Sequence, residues 1–341
     1  MTQEDGPDYE ETAVMKRIHL LLIAAPLLLL AWRPQTSPKW YKGNTHTHTI
    51  NSDGDTAPVE VVRWYREHGY NFLVLSDHNF LTEVDGLNSI FAAKEKFTLI
   101  RGEEVTDSFG DKPLHLNGLN IRELVEPQHG SGIVETLQND VNAIRAVGGV
   151  PHINHPNFRW AITAEELRQV QNNKLFEIFN GHPRVHNAGG GESAGLEEIW
   201  DRLLTGGTRL YGIAVDDAHH FKGEFKPDRS NPGRGWVVVR AEELSAAAIL
   251  SAMEQGNFYA STGVTLKDYG QDHDGLAIEI QEEEESFKYT TTFIGEGGKV
   301  LARLPGTSVK YKFNGDEIYV RARVEDSMGY KAWLQPVFRK P

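Results

Sequence analysis

Residues 71–79, Asn71-Phe72-Leu73-Val74-Leu75-Ser76-Asp77-His78-Asn79, pass from an apolar β-rich run straight into a polar loop carrying a histidine. The same change recurs along the chain. Thr98–Arg101 runs into Gly102-Glu103-Glu104, Gly149–Ile153 into Asn154-His155-Pro156-Asn157, Leu175–Phe179 into Asn180-Gly181-His182, and Leu210–Val215 into Asp217-Ala218-His219. Two more β-rich runs, Leu114–Leu119 and Trp236–Val239, complete the series. Between them Val59–His68, Val134–Val147, Ala164–Gln171, Gly195–Leu204 and Leu244–Gln255 place apolar residues at helical spacing, and Thr163-Ala164-Glu165-Glu166 reads as an N-cap opening. Strands alternating with helices predict parallel strands joined by crossover helices, an α/β barrel that displays its chemistry in the loops after its strands.

Beyond Gly263 the helical signal stops. Gly275–Gln281, Tyr289–Phe293, Val309–Phe313 and Ile318–Val324 are short alternating segments that predict antiparallel strands, with the acidic run Glu282–Glu285 expected in a hairpin loop. At 341 residues the chain suits one barrel of about 250 residues with a smaller partner. Three segments are expected: 1–39, a leader with a signal peptide or N-terminal anchor; 40–263, the barrel; and 264–341, a small antiparallel β-sandwich-like domain.

Composition excludes several classes. A formal charge of −13 repels polyanions, and no basic cluster offsets it, so no nucleic-acid polymer is expected as a partner. The absence of cysteine removes disulfides, thiolate nucleophiles and Cys-type zinc sites, so any metal is held by nitrogen and oxygen. Met15-Lys16-Arg17 followed by the apolar run Leu20–Trp32 has the form of a signal peptide, with translation starting at Met15. Export is therefore expected; an uncleaved membrane tether is the alternative, because Pro26 interrupts the run and no small-x-small site comes after it.

His46 and His48 in Asn44-Thr45-His46-Thr47-His48 are two residues apart, so on a strand both face one side and can bind one metal ion. With 14 histidines in the chain such a pair arises by chance in roughly half of comparable sequences, so it needs corroboration. Asp53 in the same loop, then His78, Glu103, His115, His155, Asp217 and His219 at later strand ends, supply it: strand termini of a barrel meet around one axis. His152 and His182 are intermediate. His68, His129, His186 and His273 stand in helical or loop contexts that suit surface or capping roles. His220 could line the pocket, and Asp77 and Asp216 could orient imidazoles, relay protons or simply close turns.

Gly43–His48 with Ser52-Asp53-Gly54, Ser76–Asn79, Gly102-Glu103-Glu104, Asn154–Asn157 and Asp217-Ala218-His219 resemble, in order and spacing, the motif series of the PHP (polymerase and histidinol phosphatase) superfamily. The resemblance covers about 42–263 and lies toward the branch of carbaryl-hydrolase-like metallohydrolases. It implies a distorted (β/α)7-type barrel and two or three divalent ions, Zn, Mn or Fe. In that pattern His46, His48, Glu103 and Asp217 would hold one ion, Glu103 would bridge to a second on His115 and His155, and Asp53, His78 and His219 would hold a third. Some members carry histidine at the position of Asp53.

The resemblance further implies metal-dependent hydrolysis of a small-molecule ester by a metal-bridging hydroxide. A phosphoesterase is the leading expectation, with Glu103, Asp77, His219 and His220 as catalytic groups and Arg159 and Arg184 gripping phosphate. Its rival is a carboxylester, carbamate or amide hydrolase whose pocket is walled by aromatics such as Phe80, Phe158, Trp160 and Phe179. A third possibility is a non-catalytic, metal-stabilised binding protein.

Overall fold

The computed structural model describes residues 37–339, so the leader, signal-peptide and anchor readings on 1–36 lie outside the described residues. Strand β1 (Lys39–Asn44) leads through helix α1 (Pro58–Glu67) to β2 (Phe72–Leu75), which is buried at every position. Short α2 (Asp85–Phe91) precedes β3 (Thr98–Phe109), and β1, β2 and β3 pair in parallel. Val61, Val62 and Tyr65 of α1 are wholly buried in a cluster with Leu73, Leu75 and Leu99, the ordinary way an amphipathic crossover helix covers a sheet.

The next strand departs from the parallel expectation. β4 (Lys112–Leu119) runs antiparallel to β3, with Phe109 opposite Lys112. Only Gly110 and Asp111 separate the two strands, and Gly110 adopts a φ of +61°. Two residues can close a hairpin, whereas a parallel connection needs about a dozen. β4 is also antiparallel to β5 (Val150–Ile153), which comes after α3 (Ile133–Ala146). The one-turn helix α4 (Ala164–Leu167), capped by the reciprocal Thr163–Glu166 box, is shorter than its periodicity suggests. β6 (Leu175–Asn180), α5 (Leu196–Thr205) and β7 (Tyr211–Val215) restore the parallel rhythm. β8 (Trp236–Ala241) returns antiparallel to β1, and α6 (Ala246–Glu254) leads to β9 (Phe258–Ser261) beside β8.

The chain then adds seven strands: β10 (Leu266–Gln271), β11 (Gly275–Ile280), β12 (Tyr289–Ile294), β13 (Val300–Pro305), β14 (Ser308–Lys312), β15 (Tyr319–Asp326) and β16 (Lys331–Phe338). β10, β11 and β14 form a three-stranded sheet, while β16 pairs with β9 and carries β15, β12 and β13 into the large sheet, which thereby counts 13 strands. The sheet is thus continuous across the boundary expected at 263/264. The acidic run Glu282–Glu285 is not a hairpin loop: β11 and β12 belong to different sheets, and it links them.

A buried ion pair fastens β15 to α5. Arg321, 1 % exposed, donates through Nε and Nη2 to the two oxygens of Asp201, each at 2.7 Å, and Tyr319 donates its hydroxyl to Asp201 Oδ1 at 3.0 Å.

Candidate metal centre

Beyond Asn44 the chain bends at Thr45 and runs on beside the ends of two other strands. His48 N donates to Ala218 O at 2.9 Å, Asp217 N to His46 O at 3.0 Å, and Ser76 N to Thr47 O at 2.9 Å. These bonds tie the segment after β1 to those after β7 and β2, joining the two ends of the seven-strand run. They also fix the alternation that turns His46 and His48 to one side.

His46 Nδ1 meets Glu177 Oε1 at 2.7 Å, so the ring donates there and its Nε2 lone pair points inward. It faces His48 Nε2 and Glu104 Oε2, both at 3.2 Å, and Asp217 Oδ1 at 3.3 Å. His48 Nε2 lies 3.2 Å from both Glu104 Oε2 and Asp217 Oδ1. His78 Nδ1 stands 3.0 Å from Glu104 Oε2, while His115 Nδ1 and His155 Nε2 stand 3.0 and 3.3 Å from Glu104 Oε1. Asp53, 58 % exposed in its side chain, approaches from the rim: its Oδ1 is 3.2 Å from His219 Nε2 and 3.7 Å from His78 Nε2. His219 Nδ1 donates to Asp217 O at 2.9 Å, which leaves Nε2 as its free lone pair.

The structure therefore brings together His46, His48, Asp53, His78, His115, His155, Asp217 and His219. Glu103 is not among them and is corrected to Glu104. Successive side chains of β3 point to opposite faces, so only one of two adjacent glutamates can enter the centre. Glu103 turns the other way, accepts Val125 N at 2.6 Å through Oε1 and leaves Oε2 buried without a partner, and burial pushes its pKa up to about 7.

Other expectations change as well. Asp77 accepts from Thr49 N (2.7 Å), Ser52 Oγ (2.9 Å) and Thr82 Oγ1 (2.6 Å), so it braces the loop after His48. Asp216 accepts Tyr65 Oη, Arg234 N and Gly235 N and is likewise a loop brace. His220 is absent from the walls of the cavity over the centre, as is Arg159, whose carbonyl accepts Lys112 Nζ. Arg184 does line that cavity, beside Phe158 and His182. Of the histidines expected at the surface, His68 stacks on Trp64 and His186 on Trp160.

Two contributors escape a reading by sequence alone. Glu104 is indistinguishable from its neighbour without the strand's phase. Glu177 carries a signal: it is a lone charge inside the apolar run Leu175–Phe179, and a charge buried in a strand must have partners. Besides His46 it accepts His155 N and Asn180 Nδ2, each at 2.8 Å. Replacing Glu177 by Gln is expected to weaken metal affinity about 10- to 100-fold by loosening the His46 tautomer, read by titrating metal-free protein with Zn²⁺ or Mn²⁺. Unchanged affinity would show that His46 is oriented without it.

The donor set fits divalent ions. Lone pairs of several imidazoles and three carboxylates converge within 4.8 Å in overlapping groups, and crowded anions and facing imidazole nitrogens call for a cation among them. Burial raises the pKa values of Glu104 and Asp217, yet the surrounding histidines hold both well below the ordinary carboxylate range, so both are anionic donors. Strain accompanies the arrangement: Asp217 and His155, neither a glycine, take φ of +49° and +22°, a cost of about 1–3 kcal/mol each that the backbone bonds around them must offset.

No family model matches the chain. A 5′-3′ exoribonuclease of Haemophilus influenzae is 35 % identical over 80 residues, 23 % of this chain and 28 % of that protein, so the chain spans little more than a quarter of that relative. An uncharacterized protein of Methanocaldococcus jannaschii is 25 % identical over 163 residues, 44 % of this chain and 72 % of the other. Among solved structures, a two-domain Bacteroides vulgatus protein containing a predicted PHP-like metal-dependent phosphoesterase covers 84 % of this chain and 90 % of its own, at 16 % identity and a TM-score of 0.48. A candidate metal-dependent phosphoesterase of Bifidobacterium adolescentis covers 54 % and 89 % (15 % identity, TM-score 0.41), and an amidohydrolase of Chromobacterium violaceum 55 % and 93 % (16 %, 0.35).

Proposed function

We propose that this chain is a metal-dependent phosphoesterase acting on a small phosphorylated substrate. The observation that carries the reading is Glu104: its Oε2 faces His46, His48 and His78 and its Oε1 faces His115 and His155, all at 3.0–3.3 Å, so one carboxylate can serve two cations at once. Divalent ions held there would lower the pKa of a water toward neutrality and neutralise charge developing on phosphoryl oxygens.

The chain's own groups supply binding and orientation. Arg184 offers a planar fork of N–H donors at the cavity wall, suited to phosphoryl oxygens. His182 Nδ1 accepts Arg184 N at 3.1 Å, which leaves its proton on Nε2; burial lowers its pKa to about 4, so it enters the cavity as a neutral hydrogen-bond donor. Phe158 and Val185 make the remaining wall apolar and limit water.

The test is an assay of phosphomonoesters, phosphodiesters, aryl carbamates and carboxylic esters on protein from about Trp40 onward, as prepared, after chelation and after metal return. Phosphoester turnover abolished by chelator and restored by metal is expected. Turnover of carbamates or carboxylic esters alone would reassign the bond that is broken, and bound metal with no turnover of any substrate would leave a binding protein.

A further inference from the structure

The cavity over the metal centre measures only about 120 Å³, space for a reacting group and little more. A second groove of about 790 Å³ adjoins it, and His182 and Val185 belong to the walls of both. The groove is built from distant parts of the chain: β6 with the loop after it, the start of α5, Gly233-Arg234 before β8, Thr262 after β9, and the β15–β16 hairpin. We propose that this groove is the leaving-group subsite, and that it takes a planar aromatic group bearing a negative charge. The proposal rests on the phosphoesterase reading for its reacting group.

Aromatic surface supplies the first half of the argument. Phe179 stacks on Trp333 at 6.0 Å between ring centres with planes 27° apart, and because Trp333 is only 3 % exposed this pair braces the wall from behind and leaves Tyr330 as the ring offered to a ligand. At the hairpin tip Tyr330 is 49 % exposed, yet its ring is not loose: it lies over Gly263, where a Cβ would fall 2.5 Å from Tyr330 Cγ. Only glycine leaves that space. Flat rings fixed on a groove wall recognise flat ligands at small entropic cost.

Charge supplies the second half. Both acidic residues on the wall are already paired, Glu197 with Arg321 and Arg323 at 3.3 and 3.1 Å and Glu198 with Arg202 at 2.5 Å. Arg234 is in no ion pair among the described residues: its guanidinium donates to Gly181 O at 2.9 Å and to Lys226 O, with the carboxylates of Asp216 and Asp228 near enough to favour its charge. Lys331, next to Tyr330, adds a second cation. Aromatic faces beside such cations select an aromatic anion over a neutral or cationic group. A volume near 790 Å³ lies in the range of small-molecule sites.

The experiment compares naphthyl phosphate carrying a ring sulfonate with methyl phosphate, and separately titrates the free naphthol sulfonate against the metal-loaded protein by calorimetry. In Tyr330→Ala and Lys331→Ala the ratio of kcat/KM for the sulfonated ester over the methyl ester is expected to fall about tenfold, with probe affinity falling by a similar factor. Tyr330→Phe, which keeps the ring, is expected to restore both. Metal content serves as the control on the centre. Equal losses on both esters, or probe binding indifferent to both variants, would overturn the groove assignment. If the wild type hydrolyses neither ester, the phosphoesterase reading fails, and probe binding still decides the groove.

Discussion

Glu104→Gln is expected to lower metal content and cut turnover by about a thousandfold or more, whereas Glu103→Gln keeps both within a few-fold of the wild type. The asymmetry follows from geometry: five imidazole nitrogens face the Glu104 carboxylate within 3.3 Å, and among the described residues none faces that of Glu103, which accepts Val125 N. An amide keeps one weak acceptor and loses the charge that would help hold divalent ions among the imidazoles, and about 4 kcal/mol of lost electrostatic stabilisation corresponds to three decades in rate. The neighbour responds in stability instead. Burial raises the folded-state pKa of Glu103 to about 7, above the ordinary value of 4.5, so the folded chain holds this proton more tightly than the unfolded chain. Its contribution to stability is therefore greatest below pH 4.5 and is lost as pH climbs toward 7. Glu103→Gln should raise Tm above pH 7 and not below pH 4.5, because the amide oxygen can still accept Val125 N. Metal analysis, kinetics and melting at two pH values check the pair; loss of metal in Glu103→Gln would return the ligand to that position.

Asp201→Ala is expected to destabilise the fold by about 3–5 kcal/mol, the usual cost of leaving one member of a buried ion pair uncompensated. Arg321 is 1 % exposed and gives two of its donors to Asp201, and the same carboxylate accepts the Tyr319 hydroxyl. Removing it strands a guanidinium and a phenol where β15 meets α5. Glu197, 3.3 Å from Arg321 Nη1, also serves Arg323 at 3.1 Å and is only a partial substitute. Urea unfolding monitored by circular dichroism measures the loss. A change under about 1 kcal/mol would mean that Glu197 suffices alone.

Alternation of apolar runs with helical spacing is enough to place β2, β5, β6, β7, α1, α3 and α5 within a few residues, because the strands are buried on both faces and read as continuous apolar runs while the helices bury one face and record it in their periodicity. The antiparallel course of β4 leaves a single trace in the sequence, the two-residue Gly110-Asp111 connection. Continuity of the large sheet through β9 and β16 leaves none, since pairing between strands 70 residues apart produces no local periodicity.

At the centre, the order of motifs along the chain names eight residues that the structure brings together, because strand ends announce themselves by a change from apolar to polar sequence. The choice between Glu103 and Glu104 needs the phase of β3, which is set by which face of the strand the sheet and α3 cover and not by the two glutamates themselves. Glu177, the bracing roles of Asp77 and Asp216, and the groove shared with the β15–β16 hairpin likewise depend on contacts between distant segments. Composition and spacing determine which donor types exist and roughly where strands end; only packing determines which way each donor points, and with it which carboxylate faces the imidazoles.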